Sequence, residues 1–277
     1  MLRERKPLYC PHNLIGVLVQ SKHESVFAFF ALVFALSIPF WILGFINPIQ
    51  LLPGLPISAL GAFTPALGAL ILTYKNDRLA GVLQLLQRSF DFKRIKNKIW
   101  YFVALLINPA IAVLAYGIMR ASGESLPNPA PLTFAVFPMV VSFFIAALGE
   151  EIGWSGYATE PLQRRWGIIP AGVLLGLVWA VLHLIPLMQV SRSVEWIAWW
   201  SLGTISLRVI MSWLYIHSGK SVFAAAVFHA MINLCWQLFP NNGSYYDPRV
   251  FGLITLCFAI AIFTAQRLLT KSKMLAA

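Results

Sequence analysis

The chain has 277 residues, of which 59% are hydrophobic and only 11% charged, against about 25% charged in soluble globular domains. That balance excludes an ordinary soluble enzyme and suits a chain built for lipid. The formal net charge of +11 would serve nucleic acid only if it formed one basic face; instead lysine and arginine gather in short segments between apolar runs, so no nucleic-acid partner is expected.

In chain order, a polar segment comes first, over 1–25, and it lacks the short apolar stretch and small-residue cleavage site of a signal peptide. Eight apolar runs follow, at roughly 26–46, 55–74, 99–119, 132–154, 168–188, 196–216, 222–239 and 250–266. Helical runs of this size can cross a hydrocarbon core about 30 Å thick. They show no period-2 alternation of the kind that barrel strands need. The expected fold class is therefore all-α, a polytopic membrane helix bundle forming one domain over 26–266, with a short tail at 267–277.

Segment 78–98 breaks the pattern, because it mixes Arg78, Arg88, Asp91, Lys93, Arg94, Lys96 and Lys98 with Leu79, Val82, Leu83, Leu85 and Leu86. It reads as an interfacial amphipathic helix followed by a basic turn, its cations near the anionic lipid of the inner leaflet. Alternating the eight spans puts most basic residues, including Arg164, Arg165 and Lys220, on one face, and leaves Arg120, Arg192 and Arg249 on the other. The positive-inside rule then predicts that 1–25 and the tail are both cytoplasmic, with the plasma membrane of a prokaryote as the setting. Trp100, Tyr101, Trp196, Trp199, Trp200, Tyr245 and Tyr246 lie near span ends and are expected as interfacial anchors. The three cysteines form no CxxC pair, and Cys235 and Cys257 are expected as buried free thiols.

Ionisable groups inside a span are costly and usually face a cavity, so each is a candidate functional residue. Glu150 and Glu151 end the run PMVVSFFIAALGEEIGW, His183 sits in LLGLVWAVLHLIPL, and His229 sits in SVFAAAVFHAMINLCW. Asn233 follows His229 by four positions, which puts both on one helical face. Taken singly, each has a plain structural reading: a satisfied packing histidine, or carboxylates marking a span end. Taken together, a carboxylate, imidazoles and an amide in one apolar cavity suit water activation, with the amide and an imidazole donating to an oxyanion.

The segments EEIGWSGY at 150–157, WAVLH at 179–183 and HAMIN at 229–233 resemble, in order, the three motifs of the CAAX prenyl endopeptidase and bacteriocin-processing family of intramembrane glutamate proteases. The resemblance implies an eight-helix endopeptidase that uses no metal and no cofactor and acts on a peptide or a lipidated protein in the membrane. It implies Glu150 as general base on water with His183, Glu151 in support, and His229 with Asn233 as the oxyanion hole. Trp179 takes the aromatic position of the second motif and, with Trp154, is expected at the cavity wall.

One position departs from the pattern: the family's arginine, five residues after the first glutamate, is Ser155. Two adjacent carboxylates then need another cation. Arg208, near the middle of span 196–216, is the candidate charge partner; the alternative is a shifted span with Arg208 at the inner interface beside Lys220 and Arg164. For Glu150 and His183 to share a depth, the fourth helix is expected to continue past Tyr157 to about Leu162. Three rival readings remain: an inert scaffold, immunity or accessory protein that binds a peptide or membrane partner in the same cavity; a proton-coupled transporter; and a zinc site, although HExxH is absent.

Overall fold

The computed structural model describes residues 26–129, 133–134, 136–241 and 243–275, with 269–275 described as backbone alone. The polar segment 1–25, with Cys10, His12 and His23, lies outside the described residues, as do the last two residues of the tail. The chain is an all-helical bundle with a single short hairpin among the described residues. Its long elements are α1 (Val26–Ile46), α2 (Thr64–Gln87), α3 (Ile99–Ala121), α4 (Val136–Gly153), α5 (Thr159–Trp166), α6 (Ile168–Gln189), α7 (Val194–His217), α8 (Val222–Leu238) and α9 (Pro248–Leu275). Strands β1 (Gln50–Leu52) and β2 (Leu55–Pro56) pair antiparallel between α1 and α2.

Among the described residues, seven stretches are long and apolar enough to cross a bilayer, and α8, at 17 residues, is a shorter apolar helix in the place of the seventh predicted span. The protein is thus an integral membrane protein. Its helix ends follow local rules: Pro65 sits in the first turn of α2, where no amide hydrogen is needed, and Ser193 and Ser221 cap α7 and α8 through their side-chain oxygens.

The amphipathic stretch is a helix that begins at a break: the backbone leaves helical geometry at Arg78, with φ 57°, so the part of α2 that runs on to Gln87 is a second helix across a kink. Two single 3-10 turns, Arg88–Phe90 and Phe92–Arg94, then lead to α3. Cys257 is exposed on the outer surface of α9 rather than buried, where lipid contact satisfies a thiol as well as a protein core does. The fourth span continues, as expected, through a turn of π-helix at Trp154–Ala158 into α5.

Packing is set by small residues, which let helix backbones approach closely where lipid gives no hydrophobic drive to associate. On α6, a Cβ at Gly172 would lie 2.8 Å from the Val209 Cα of α7, and one at Gly176 would lie 2.7 Å from the Ile205 Cα. On α4, a Cβ at Gly153 would meet the Pro65 carbonyl oxygen at 2.5 Å, and one at Gly149 the Phe63 ring at 2.6 Å. These two GxxxG pairs press α6 onto α7 and α4 onto the start of α2. At the basic end, the 3-10 turns lock the bundle: Arg88 donates to the Gly156 carbonyl at 2.7 Å, and the Asp91 carboxylate accepts from Ser221 Oγ at 2.6 Å and from the first amides of α8.

Candidate active site

The π-helical turn directly after Glu150 and Glu151 re-aims the residues around it, as such bulges commonly do at functional sites. Adjacent positions on a helix point about 100° apart, and here the two carboxylates face different surroundings. Glu150 borders a cavity of about 760 Å³ that also touches Trp179, His183, Asn233 and Trp200. Glu151 lies behind it, fully buried, and does not border the cavity.

Glu150 is held by two indoles. Its Oε2 accepts from Trp179 Nε1 at 2.6 Å and from Trp154 Nε1 at 3.2 Å. Its Oε1 has no hydrogen-bond donor among the described residues and lies 3.7 Å from His229 Nε2. One carboxylate oxygen is thus fixed and the other keeps its lone pairs.

Glu151 carries the charge compensation. Its Oε2 accepts from Arg208 Nη1 at 2.9 Å and from the Ser155 hydroxyl, and its Oε1 pairs with His229 Nδ1 at 2.9 Å. A carboxylate in that position accepts a hydrogen bond from Nδ1–H, which leaves Nε2 as the nitrogen that faces Glu150. Arg208 is 1% exposed; its guanidinium also stacks over the Trp179 ring, 4.3 Å from the centroid, an attraction strengthened by desolvation. The glycine at 176 is what lets α6 bring Trp179 to this cation, since its own built Cβ would already touch the Arg208 Cβ at 3.3 Å.

His183 binds its own helix through Nδ1, 2.8 Å from the Trp179 carbonyl, so the neutral ring presents an unprotonated Nε2. Its ring packs between Trp179, at 5.6 Å, and Trp200, at 5.4 Å. Asn233 also borders the cavity, one turn beyond His229, whereas His229 itself does not.

The structure therefore brings Glu150, Glu151, His229, Trp154, Trp179 and Arg208 into direct contact, and sets His183 and Asn233 on the same cavity. Three expectations change. Trp154 is no cavity wall: it is fully buried behind Glu150 against Phe29 and Phe30, because the π-turn rotates it inward. Trp200 and Tyr246 are not plain anchors, since both line the cavity, drawn in by His183 and by Phe251 at 4.3 Å. Residue-by-residue reading also passed over Gly149, Gly153, Gly172 and Gly176, although their four-residue spacing is a legible packing signal. Among the described residues, no three His, Cys, Asp or Glu side chains are arranged to hold a metal ion.

Two comparisons bear on this arrangement. The type II CAAX prenyl endopeptidase Rce1-like family model matches residues 131–235. The CAAX prenyl protease 2 of Methanococcus maripaludis is 28% identical over 192 residues, covering 64% of this chain and 70% of that relative. The family match spans all three motifs, from Glu150 to Asn233, and with it the chain is related to the CAAX prenyl endopeptidases, a membrane peptidase family.

Proposed function

We propose that this membrane peptidase is a metal-independent, glutamate-dependent endopeptidase that hydrolyses a bond in a membrane-associated or lipidated peptide. The observation that carries the reading is the division of labour between neighbours: Glu150 offers a free oxygen to the cavity, while Glu151 is neutralised behind it by Arg208 at 2.9 Å.

In this reading a water in the cavity gives its proton to Glu150, with His183 Nε2 as the second acceptor, while its oxygen bonds to the scissile carbonyl carbon. The carbonyl π pair moves onto oxygen, and the oxyanion takes a hydrogen bond from the Asn233 amide on the cavity wall, with His229, one turn back on the same helix, held behind Glu150. Such donors contribute about 3–4 kcal/mol each in soluble hydrolases. Collapse of the tetrahedral species breaks the C–N bond, and the leaving nitrogen takes the proton held by the carboxylate. Arg208 and Glu151 take no part in bond making; they hold His229 and keep the net charge of the site low.

An inert binding scaffold was the alternative suggested by Ser155. Arg208 beside Glu151 gives the carboxylate pair a cation from another helix, which supports the catalytic reading over the inert one. The test is a comparison of the membrane peptides in cells carrying the wild-type chain and in cells carrying Glu150→Gln. At least one peptide should lose its trimmed form in the variant; identical peptide sets would overturn the reading.

A further inference from the structure

Asn108 is a buried polar side chain that no step above uses. It lies near the middle of α3, in the apolar run LLINPAIAV, and is 5% exposed. An amide at that depth in a span is costly unless its groups find partners. Its Nδ2 donates to the Phe228 carbonyl of α8 at 3.2 Å. That bond fixes which way the amide faces, because a carbonyl can only accept.

The other end of the amide, Oδ1, accepts no hydrogen bond from the described residues and is not among the sealed, unpartnered atoms. Asn108 borders the same cavity as Glu150 and Asn233, and with Ile111 it is what α3 gives to the wall. The bond to Phe228 also ties this acceptor to the helix that carries Asn233, five positions further along. A peptide unit drawn into such a cavity brings one C=O and one N–H, and each needs a partner once water is displaced. The proposed chemistry supplies a donor for the carbonyl at Asn233 and leaves the N–H unanswered. Hydroxyls on the wall such as Ser58 and Thr255 are already donating to Gln189 and to the Phe251 carbonyl, whereas Asn108 Oδ1 is uncommitted.

We propose that Asn108 is a substrate-binding residue: its Oδ1 accepts a hydrogen bond from a backbone N–H of a peptide in the cavity, while its Nδ2 holds α8 at Phe228. The amides of Asn108 and Asn233 then read the two polar groups of a peptide backbone, acceptor to N–H and donor to C=O. This rests on the peptidase reading for calling the occupant a substrate, but the contact is measured by binding, without turnover.

The full chain is studied in lipid nanodiscs with Cys10→Ser and Cys257→Ala, so that Cys235, on the cavity wall, is the thiol that reacts. The probe is a capped hexapeptide of leucine and alanine. In a set of analogues each internal amide in turn is replaced by an ester, which keeps the carbonyl and removes the N–H. Protection of Cys235 from N-ethylmaleimide reports occupancy. Asn108→Leu should weaken protection by the all-amide peptide about five- to tenfold, the worth of one hydrogen bond. At least one ester analogue should protect the wild-type chain that much less well and lose nothing more in the variant. Asn108→Ser, small enough for the same space, gives the same comparison where the leucine variant does not fold. Unchanged protection in the variants, an equal further loss for every analogue as a purely structural amide would give, or no protection of the wild-type chain by any peptide would overturn the proposal. Unchanged cellular peptides in Glu150→Gln would remove the peptidase reading and leave these binding results as they are.

Discussion

Arg208 and Glu151, 57 positions apart and on different helices, meet at 2.9 Å with both side chains almost wholly removed from solvent. Neither could sit alone at this depth, because an unpaired buried charge costs several kcal/mol. The same carboxylate also takes the Ser155 hydroxyl. The serine thus occupies the motif position while the guanidinium arrives from α7, and the carboxylate keeps a cation.

Arg208→Leu should therefore destabilise the fold by about 3–5 kcal/mol, the usual cost of breaking a buried pair from one side. Ser155→Arg combined with Arg208→Leu should restore part of that loss, because position 155 already touches Glu151. Denaturation in detergent micelles reads both. A double variant no more stable than Arg208→Leu would show that position 155 cannot deliver a cation to this carboxylate.

Glu150→Gln should abolish turnover and leave the fold nearly intact. The amide oxygen can still accept from Trp179 and Trp154, so packing survives, while the proton acceptor at the cavity is gone. Peptide release from reconstituted vesicles is the measurement, alongside the unfolding midpoint. Retained turnover would exclude Glu150 as the base.

Asn233→Ala should lower the rate by about 10²–10³ with little change in substrate binding, as expected for a donor that acts in the transition state. His183→Ala should cost about 10²–10⁴ through loss of proton transfer. A rise in KM alone for either variant would instead make that side chain part of substrate binding.

Gly176→Val should push α6 away from α7, since its first added carbon would lie 2.7 Å from the Ile205 backbone. Overpacking of this kind typically costs about 1–3 kcal/mol, and here it also lifts Trp179 off Arg208 and Glu150. Tryptophan fluorescence should shift and turnover should fall together. A variant with normal stability but no activity would mean that the close approach serves the site alone.

Metal chelators should leave hydrolysis unchanged in the reconstituted protein. Activity that vanishes with a chelator and returns with added zinc would reject the glutamate mechanism.

Hydropathy and spacing are properties of the chain read along one dimension, and they were enough for the bundle and for its candidate residues. The apolar runs set the spans, the four-residue step from His229 to Asn233 set one helical face, and the interrupted charge pattern set a basic end. What no local pattern contains is the rotation of each helix about its axis. That rotation follows from backbone contacts at Gly149, Gly153, Gly172 and Gly176, and it decides that Glu150 faces the cavity while Glu151 faces Arg208. The same contacts turn Trp154 inward and bring Trp179 onto the cation. Side chains so placed are chosen by partners dozens of residues away, because in a bundle the environment of a position is built by neighbouring helices and not by its own.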